Sequence, residues 1–204
     1  MSEERTIQYY DENAEQYFRE TVAADMAVTC DRFLKYVRPG GTIVDIGAGS
    51  GRDLKYFKEK GYAAEGIDAS EALCVRASEY AFVPVTCIRI QDWYPKKKYA
   101  GIWACASLLH LKMDEIETFI CRLPDLLEEG GTAYISLKSG IETGTDEKGR
   151  YFTNVTEDDL RKITGETDGL EIAEFWNSCD QMRRQDFIWM NVILKRHLRE
   201  VDEK

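Results

Sequence analysis

The residues of this chain whose types and spacing could do chemistry begin with a glycine turn and the acids around it. Gly47-Ala48-Gly49-Ser50-Gly51 follows the apolar run "TIVDI" and precedes "RDLKYF", so a strand-like stretch breaks into a turn and resumes as a helix. Alternate glycines permit a sharp turn and close approach of a ligand to the backbone. A dinucleotide site has G-x-G-x-x-G there and receives a pyrophosphate on the helix N-terminus. Here Arg52 stands where the third fingerprint glycine belongs, and Asp45, two residues before the turn, would set a carboxylate against that anion. Beside an ammonium or a sulfonium the same carboxylate is favourable. Taken alone, the turn could also serve backbone geometry only.

Further acids extend the pattern. Asp68 closes the next apolar run, 21 residues after Gly47, where an acidic side chain accepts ribose hydroxyls. Asp92, in "IQDW", is placed for an exocyclic amine, and Trp93 offers a flat apolar surface for a purine. Any one of these acids could be a solvated loop residue; acids ending three successive strand-like runs point to one crevice. His110, in "ACASLLHL", is the candidate general base for an acceptor that is protonated at working pH, with a packed histidine as the competing reading. His197, in "KRHLRE", reads as a surface residue.

Alternating elements must position these residues. Met26, Cys30, Phe33, Leu34 and Val37 share one helical face that Pro39-Gly40-Gly41 ends, and "TIVDIG" follows as a buried strand. Leu54 and Phe57 mark a short helix stopped by Gly61; "YAAEGID" is a second strand, and Ser70 caps a helix carrying Leu73 and Ala77. "FVPVTCIRI" and "YAGIWACA" supply strands three and four. Asp114 with Glu117 resembles a capping box for a helix through Leu127, which Pro124 should kink or split and Gly130-Gly131 should end before the fifth strand, "TAYISL". "KSGIETGTDEKGRYF" reads as a polar loop, Thr156 to Ile163 as a capped helix, and "LEIAEFW" and "DFIWMNVIL" as strands joined too closely for a parallel crossover. The expected fold is α/β: a doubly wound, Rossmann-like, seven-stranded sheet, mostly parallel, with one antiparallel strand in a C-terminal hairpin.

Composition sets the boundaries. The 204 residues suit one domain, and 44% apolar with 31% charged residues is ordinary for a soluble globular chain. A net charge of −10 disfavours a nucleic-acid partner, since Lys96-Lys97-Lys98 is the only dense basic run. The six cysteines are scattered without C-x-x-C spacing, which argues against a metal site or a disulfide framework. The polar, acidic start "MSEERTIQYYDENAEQYF" reads as neither a signal nor a transit peptide, and no apolar run is long enough to span a bilayer, so a cytoplasmic protein without membrane attachment is expected.

"VDIGAGSGRD", "GIDAS", "QDW" and "ACASLLHL" together resemble the successive signature segments of class I S-adenosylmethionine-dependent methyltransferases, strongly over residues 40 to 140. A looser likeness, which includes "YYDENAEQYF", is to small stand-alone bacterial members of the tellurite-resistance and thiopurine type. The resemblance implies S-adenosylmethionine as cofactor and S-adenosylhomocysteine as product. It sets Asp45, Gly47, Ala48, Gly49 and Gly51 around the methionine part, Asp68 and Ala69 at the ribose, Asp92 with Trp93 at the adenine, and Ser107 among the cofactor contacts. It divides the chain into an N-terminal helical lid (1–39), a cofactor-binding core (40–140) and a C-terminal helix with the hairpin (141–204), all one domain, expected as a monomer or weak homodimer.

The sulfonium is an activated donor, so alignment and desolvation of an in-line displacement can carry most of the catalysis. After the fourth strand the Asp/Asn-Pro-Pro-aromatic signature of amino-methylating enzymes is absent, and Cys105 lacks a preceding proline. The acceptor is therefore expected to be a small molecule attacking through oxygen, nitrogen, sulfur or a heavier chalcogen. An RNA or protein methyltransferase and a non-catalytic cofactor-binding regulatory protein are the alternatives. Tyr9, Tyr10, Tyr17 and Phe18 are candidates for a lid, or else the apolar face of an ordinary helix. Tyr9, Tyr17, Lys138, Arg150, Tyr151, Arg183 and Arg184 are candidate substrate contacts.

Overall fold

The run Thr42–Ile46 becomes β1, the strand from which the sheet grows in both directions. The computed structural model describes residues 2–179 and 188–197. Three helices precede β1: α1 (Ser2–Glu12), α2 (Ala14–Thr21) and α3 (Ala27–Leu34). After it come α4 (Arg52–Glu59), β2 (Ala63–Asp68), α5 (Glu71–Ala81), β3 (Val85–Cys87), β4 (Tyr99–Cys105), α6 (Met113–Leu126) and β5 (Leu127–Ser139). A small hairpin of β6 (Gly144–Thr145) and β7 (Tyr151–Phe152), then α7 (Glu157–Glu166), β8 (Leu170–Cys179) and β9 (Ile188–Arg196), completes the chain.

The seven-stranded sheet has the order β3-β2-β1-β4-β5-β9-β8. β3, β2, β1, β4 and β5 pair in parallel, and β9 runs antiparallel to both β5 and β8. Strand order therefore reverses between β1 and β4, the place where doubly wound sheets receive ligands. The period of two along each strand divides the core. Val44, Ile102, Ile135 and Val192 face α6 and α7, while Ile43, Trp103, Tyr134 and Ile193 face α3 and α4. On the second face Trp103 stacks on Tyr134, with centroids 4.0 Å apart, and meets Phe33 and Phe57, each at 5.2 Å.

Several elements depart from the sequence reading for local reasons. The third strand shrinks to three residues because Pro84 precedes it and Phe82 ends α5 in a left-handed conformation. α6 starts at Met113, where Glu115 Oε2 accepts from the Lys112 amide at 2.8 Å, so the cap lies two residues before the Asp114–Glu117 pair. Pro124 neither splits nor ends α6: it stands in the last turn, where the bond it removes is one of the few remaining. Gly130-Gly131 lies inside β5, in an irregularity between the Tyr99↔Leu127 and Gly101↔Thr132 pairs, so Leu127 and not a glycine closes the helix. The segment read as a polar loop contains β6 and β7. α3 ends at Leu34, and Tyr36 and Val37 continue it only by tighter bonds to Phe33 and Leu34. Of the strand "DFIWMNVIL", the first two residues lie outside the described region. Among the described residues, no helix is long and apolar enough to cross a membrane.

Candidate active site

Two clefts open at the carboxyl ends of the strands, on either side of the glycine turn. The first spans about 790 Å³, open solvent at its mouth included, between the turn, the end of β2 and the short helical turn Leu108–His110 after β4. Ile67, Leu73, Ile88 and Ile90 give it apolar walls, and Asp68, Ser107 and His110 supply polar groups. Both oxygens of Asp68 are fixed: Oδ2 accepts from the Gly49 amide and Oδ1 from the Ser70 amide, each at 2.9 Å. Burial raises the Asp68 pKa, and these backbone donors hold the rise in check. Ser107 Oγ is buried here with no hydrogen-bond partner among the described residues.

The second cleft, about 860 Å³, lies on the α3–α4 face and is lined by Asp45, Ser50, Arg52, Asp53, Cys105 and Ser136 among others. Arg52 forks onto Asp53 at 2.7 and 2.8 Å, and Trp103 Nε1 donates to the same carboxylate at 2.9 Å. Asp45 is only 3% exposed, and among the described residues no donor reaches its side chain. Burial first, and then the Asp53 carboxylate, push its pKa well above the ordinary value against the pull of Arg52. An unpaired buried carboxylate is costly, and a cation in this cleft would relieve it.

The clefts share Tyr17, Gly47, Gly49 and Ala106. Ala106 has φ 55° and its amide donates to Ser136 Oγ at 2.9 Å, a strained conformation that costs a non-glycine residue on the order of 1 kcal/mol. Gly47 has φ 74°, and a Cβ there would fall 2.5 Å from that of Ser107. Gly51, with φ 77°, lies against α5, where a Cβ would meet the Ala77 carbonyl at 2.7 Å. These two glycines thus admit other parts of the chain, and Gly51 lines neither cleft.

α1 and α2 cover the first cleft. Asp11 Oδ1 accepts from Ser70 Oγ at 2.6 Å and from the Ala72 amide at 3.2 Å, and Thr6 Oγ1 accepts from the Tyr151 amide at 2.9 Å. Gln91 Nε2 donates to Glu3 at 2.9 Å and to Glu115 at 3.1 Å. Tyr10 meets His110, with its hydroxyl 2.9 Å from Nε2, while His110 Nδ1 lies 2.7 Å from the Tyr151 carbonyl. A carbonyl can only accept, so Nδ1 carries the proton and Nε2 accepts from Tyr10. Burial lowers the His110 pKa to about 4 and pushes the Tyr10 phenol up to about 12, so both are neutral near pH 7.

The structure thus brings Asp45, Gly47, Ala48, Gly49, Asp68, Ala69, Ser107, His110 and Tyr17 to the clefts. It does not bring Asp92 and Trp93 there. The turn Ile90–Asp92 offers Ile90 and Gln91 to the cleft, Asp92 turns outward to Arg89 at 2.7 Å, and Trp93 is buried against Tyr99. Tyr9 lies edge-on to Tyr10, with Arg150 over its ring, and Arg150 is paired with Asp146 at 2.7 Å. Lys138 sits over the rings of Phe152 and Trp189, and Phe18 packs on Tyr80. Arg183 and Arg184 lie outside the described residues. Sequence reasoning missed the Arg52–Asp53–Trp103 group, whose signal was the adjacent "RD" after the turn, and Gln91, which gave no signal beyond its place beside Asp92.

The doubly wound, mostly parallel seven-stranded sheet with its antiparallel closing hairpin is the class I methyltransferase architecture. The chain matches the model of the family described as "Methyltransferase domain" over residues 18–163, more than half its length, and belongs to that family. Its architecture is that of enzymes that take their methyl group from S-adenosylmethionine. It resembles the Burkholderia thailandensis 1,6-didemethyltoxoflavin-N1-methyltransferase solved with 1,6-didemethyltoxoflavin and S-adenosylhomocysteine, at 16% identity, 96% coverage of this chain and 87% of that one, TM-score 0.75. It also resembles the magnesium protoporphyrin IX methyltransferase of Synechocystis PCC 6803 with bound S-adenosylmethionine, at 17% identity, 96% and 97% coverage, TM-score 0.73. A third likeness is to the cyclase SpnF, at 16% identity, 94% coverage of both chains, TM-score 0.72. Against curated protein sequences the chain has no significant match.

Proposed function

We propose that this methyltransferase acts on a small-molecule nucleophile, with S-adenosylmethionine lying across both clefts. The observation that carries the reading is the pairing of a polar cleft, where buried Asp45 has no partner, with an apolar one, where Asp68 is fixed. That contrast fits an ammonium at one end and a nucleoside at the other, and the unpartnered Ser107 hydroxyl is a further group free to meet it. When bound, the cofactor supplies a methyl group on a positively charged sulfur.

The chain's own residues then hold, dehydrate and take a proton. Asp45 holds the ammonium and Asp68 the ribose hydroxyls; α1 and α2 exclude water from the first cleft. Tyr10 and His110 both line the first cleft and are hydrogen-bonded to each other, so a proton leaving the acceptor passes to the Tyr10 oxygen while the phenol proton moves to His110 Nε2. A cover made of the chain's own α1 and α2, on a chain of net charge −10, favours a small acceptor over RNA or a protein segment. The likenesses to the toxoflavin and protoporphyrin enzymes point the same way.

Calorimetry with S-adenosylmethionine is the first test. The parent should bind, and Asp68→Ala should lower affinity by about 100-fold, as expected for the loss of a carboxylate with several charge-assisted hydrogen bonds. No binding by the parent, or equal binding by the variant, overturns the reading. Transfer of a labelled methyl group is then compared among a metabolite extract, RNA and protein fractions; label in a polymer fraction alone removes the small-molecule assignment. Tight binding without transfer to any fraction would leave a non-catalytic role, and SpnF is a cyclase on the same fold.

A further inference from the structure

The neck between the clefts has features that holding the two ends of a ligand does not require. Of the four residues common to both clefts, Gly47 and Gly49 have no side chain, Ala106 has a methyl group, and Tyr17 has an aromatic ring. A Cβ at Gly49 would lie 3.1 Å from Tyr17 Cε1 and 3.3 Å from its hydroxyl oxygen, so the bare glycine lets the ring lie close over the turn. Tyr10 braces the ring edge-on, with centroids 5.2 Å apart and planes at 84°. Among the described residues the Tyr17 hydroxyl has no hydrogen-bond partner, so polar bonding is not what places the ring. Ala106, also common to both clefts, is the strained residue of the neck. Strain at a constriction is kept where the surroundings over-determine it, as at ligand clamps.

This inference rests on the reading of S-adenosylmethionine across both clefts. Its sulfur joins the amino-acid part to the ribose part, so with one end at Asp45 and the other at Asp68 the sulfur belongs to the neck. No carboxylate lines that neck itself, and burial holds the Tyr17 phenol in its neutral form. We propose that the Tyr17 ring is the element that recognises the sulfonium charge, through the negative face of its π system, and so discriminates the methyl donor from its product. On transfer the C–S bond breaks as the bond to the acceptor forms, the electron pair stays on sulfur, and a neutral thioether remains. The ring then loses its electrostatic hold while Asp45 and Asp68 keep theirs, and the product is favoured to leave.

The test is the ratio of affinities for S-adenosylmethionine and S-adenosylhomocysteine, measured by calorimetry. Relative to the parent, Tyr17→Phe should keep this ratio within about twofold, and Tyr17→Leu should shift it against the sulfonium by about fivefold. Because leucine could disturb the fold, the same ratio is measured with phenylalanine at position 17 carrying one, two and three ring fluorines, which weaken the π face and hardly change its shape. A stepwise fall with fluorination is expected. A ratio unmoved by leucine and by fluorination overturns the proposal, as does a collapse in Tyr17→Phe, which would assign the effect to the hydroxyl. Failure of the parent to bind either compound is a different result, and removes the underlying cofactor reading instead.

Discussion

Asp45, one residue before the end of β1, and Asp68, the last residue of β2, stand on neighbouring parallel strands; the first is buried, the second half-buried, and they have opposite surroundings. Asp68 is anchored by two backbone amides that its own loop and the glycine turn supply, so it contributes to the shape of the site before any ligand arrives. Among the described residues Asp45 has no such donor, and it feels both the Asp53 carboxylate and the Arg52 guanidinium. One acid is part of the scaffold as well as the site; the other is a carboxylate whose charged form burial and Asp53 disfavour, against the pull of Arg52, until a cation enters. Folding and binding therefore favour the same side chain at position 68 and oppose each other at position 45.

The sharpest way to break this contrast is to neutralise Asp45. Asp45→Asn should lower affinity for S-adenosylmethionine by about 100-fold, while the unliganded protein gains on the order of 1 kcal/mol by losing an unpaired buried charge. Asp68→Ala, which orphans two amides, should instead lose about 2 kcal/mol. Chemical denaturation without ligand gives both signs, and destabilisation by Asp45→Asn would refute the contrast.

An intermediate effect separates the cover from the turn. His110 has its pKa lowered to about 4 in the fold, below the ordinary histidine value, so the unfolded chain takes up its proton first. The stability this neutral histidine brings is complete above about pH 6.5 and is lost as pH falls toward 4. Asp45 and Asp68, with raised values, act in the other direction and gain as acid neutralises them. Stability curves of the parent and His110→Gln, compared between pH 7 and 4, should therefore differ by up to about 3 kcal/mol in slope-integrated terms, with the parent losing more. Parallel curves would mean that His110 is not held neutral by the covered cleft.

The smallest effect concerns a third acid. Asp92 is half exposed and paired with Arg89 on the surface, so Asp92→Ala should change stability by about 0.5 kcal/mol or less and cofactor affinity by about twofold at most. A large loss of affinity would return Asp92 to the cleft and add a third carboxylate to the comparison.

The strand-helix alternation, the antiparallel β9 and the acids of β1 and β2 were legible because a buried parallel strand has an apolar run, and its end has a fixed place in the sheet. Asp92 and Trp93 were less so. A short helical turn follows the edge strand β3, and one residue of twist decides which side chain enters the cleft; here Ile90 and Gln91 do. Nor could spacing tell that Gly51 answers to Ala77 across the fold, or that His110 would meet Tyr10 from 100 residues away. Such contacts are set by packing between elements, which a one-dimensional pattern does not contain. The capping signal at Asp114 and Glu117 misled for the opposite reason: the motif is local, and a neighbouring pair, Lys112 and Glu115, met the same need.

The bond from Asp11 to the start of α5 has an electrical side. The aligned peptide dipoles of α5 leave partial positive charge at its first turn, whose cap Ser70 lies two residues past Asp68, and besides Glu71 of that turn it is answered by Asp11 of α1. If α1 moved away, that positive end would keep Glu71 and lose Asp11. The field around Asp68 would then change without any movement of Asp68. Dissolved salt weakens an attraction of this kind, so ionic strength acts on how firmly the cover is held as well as on the charges it encloses.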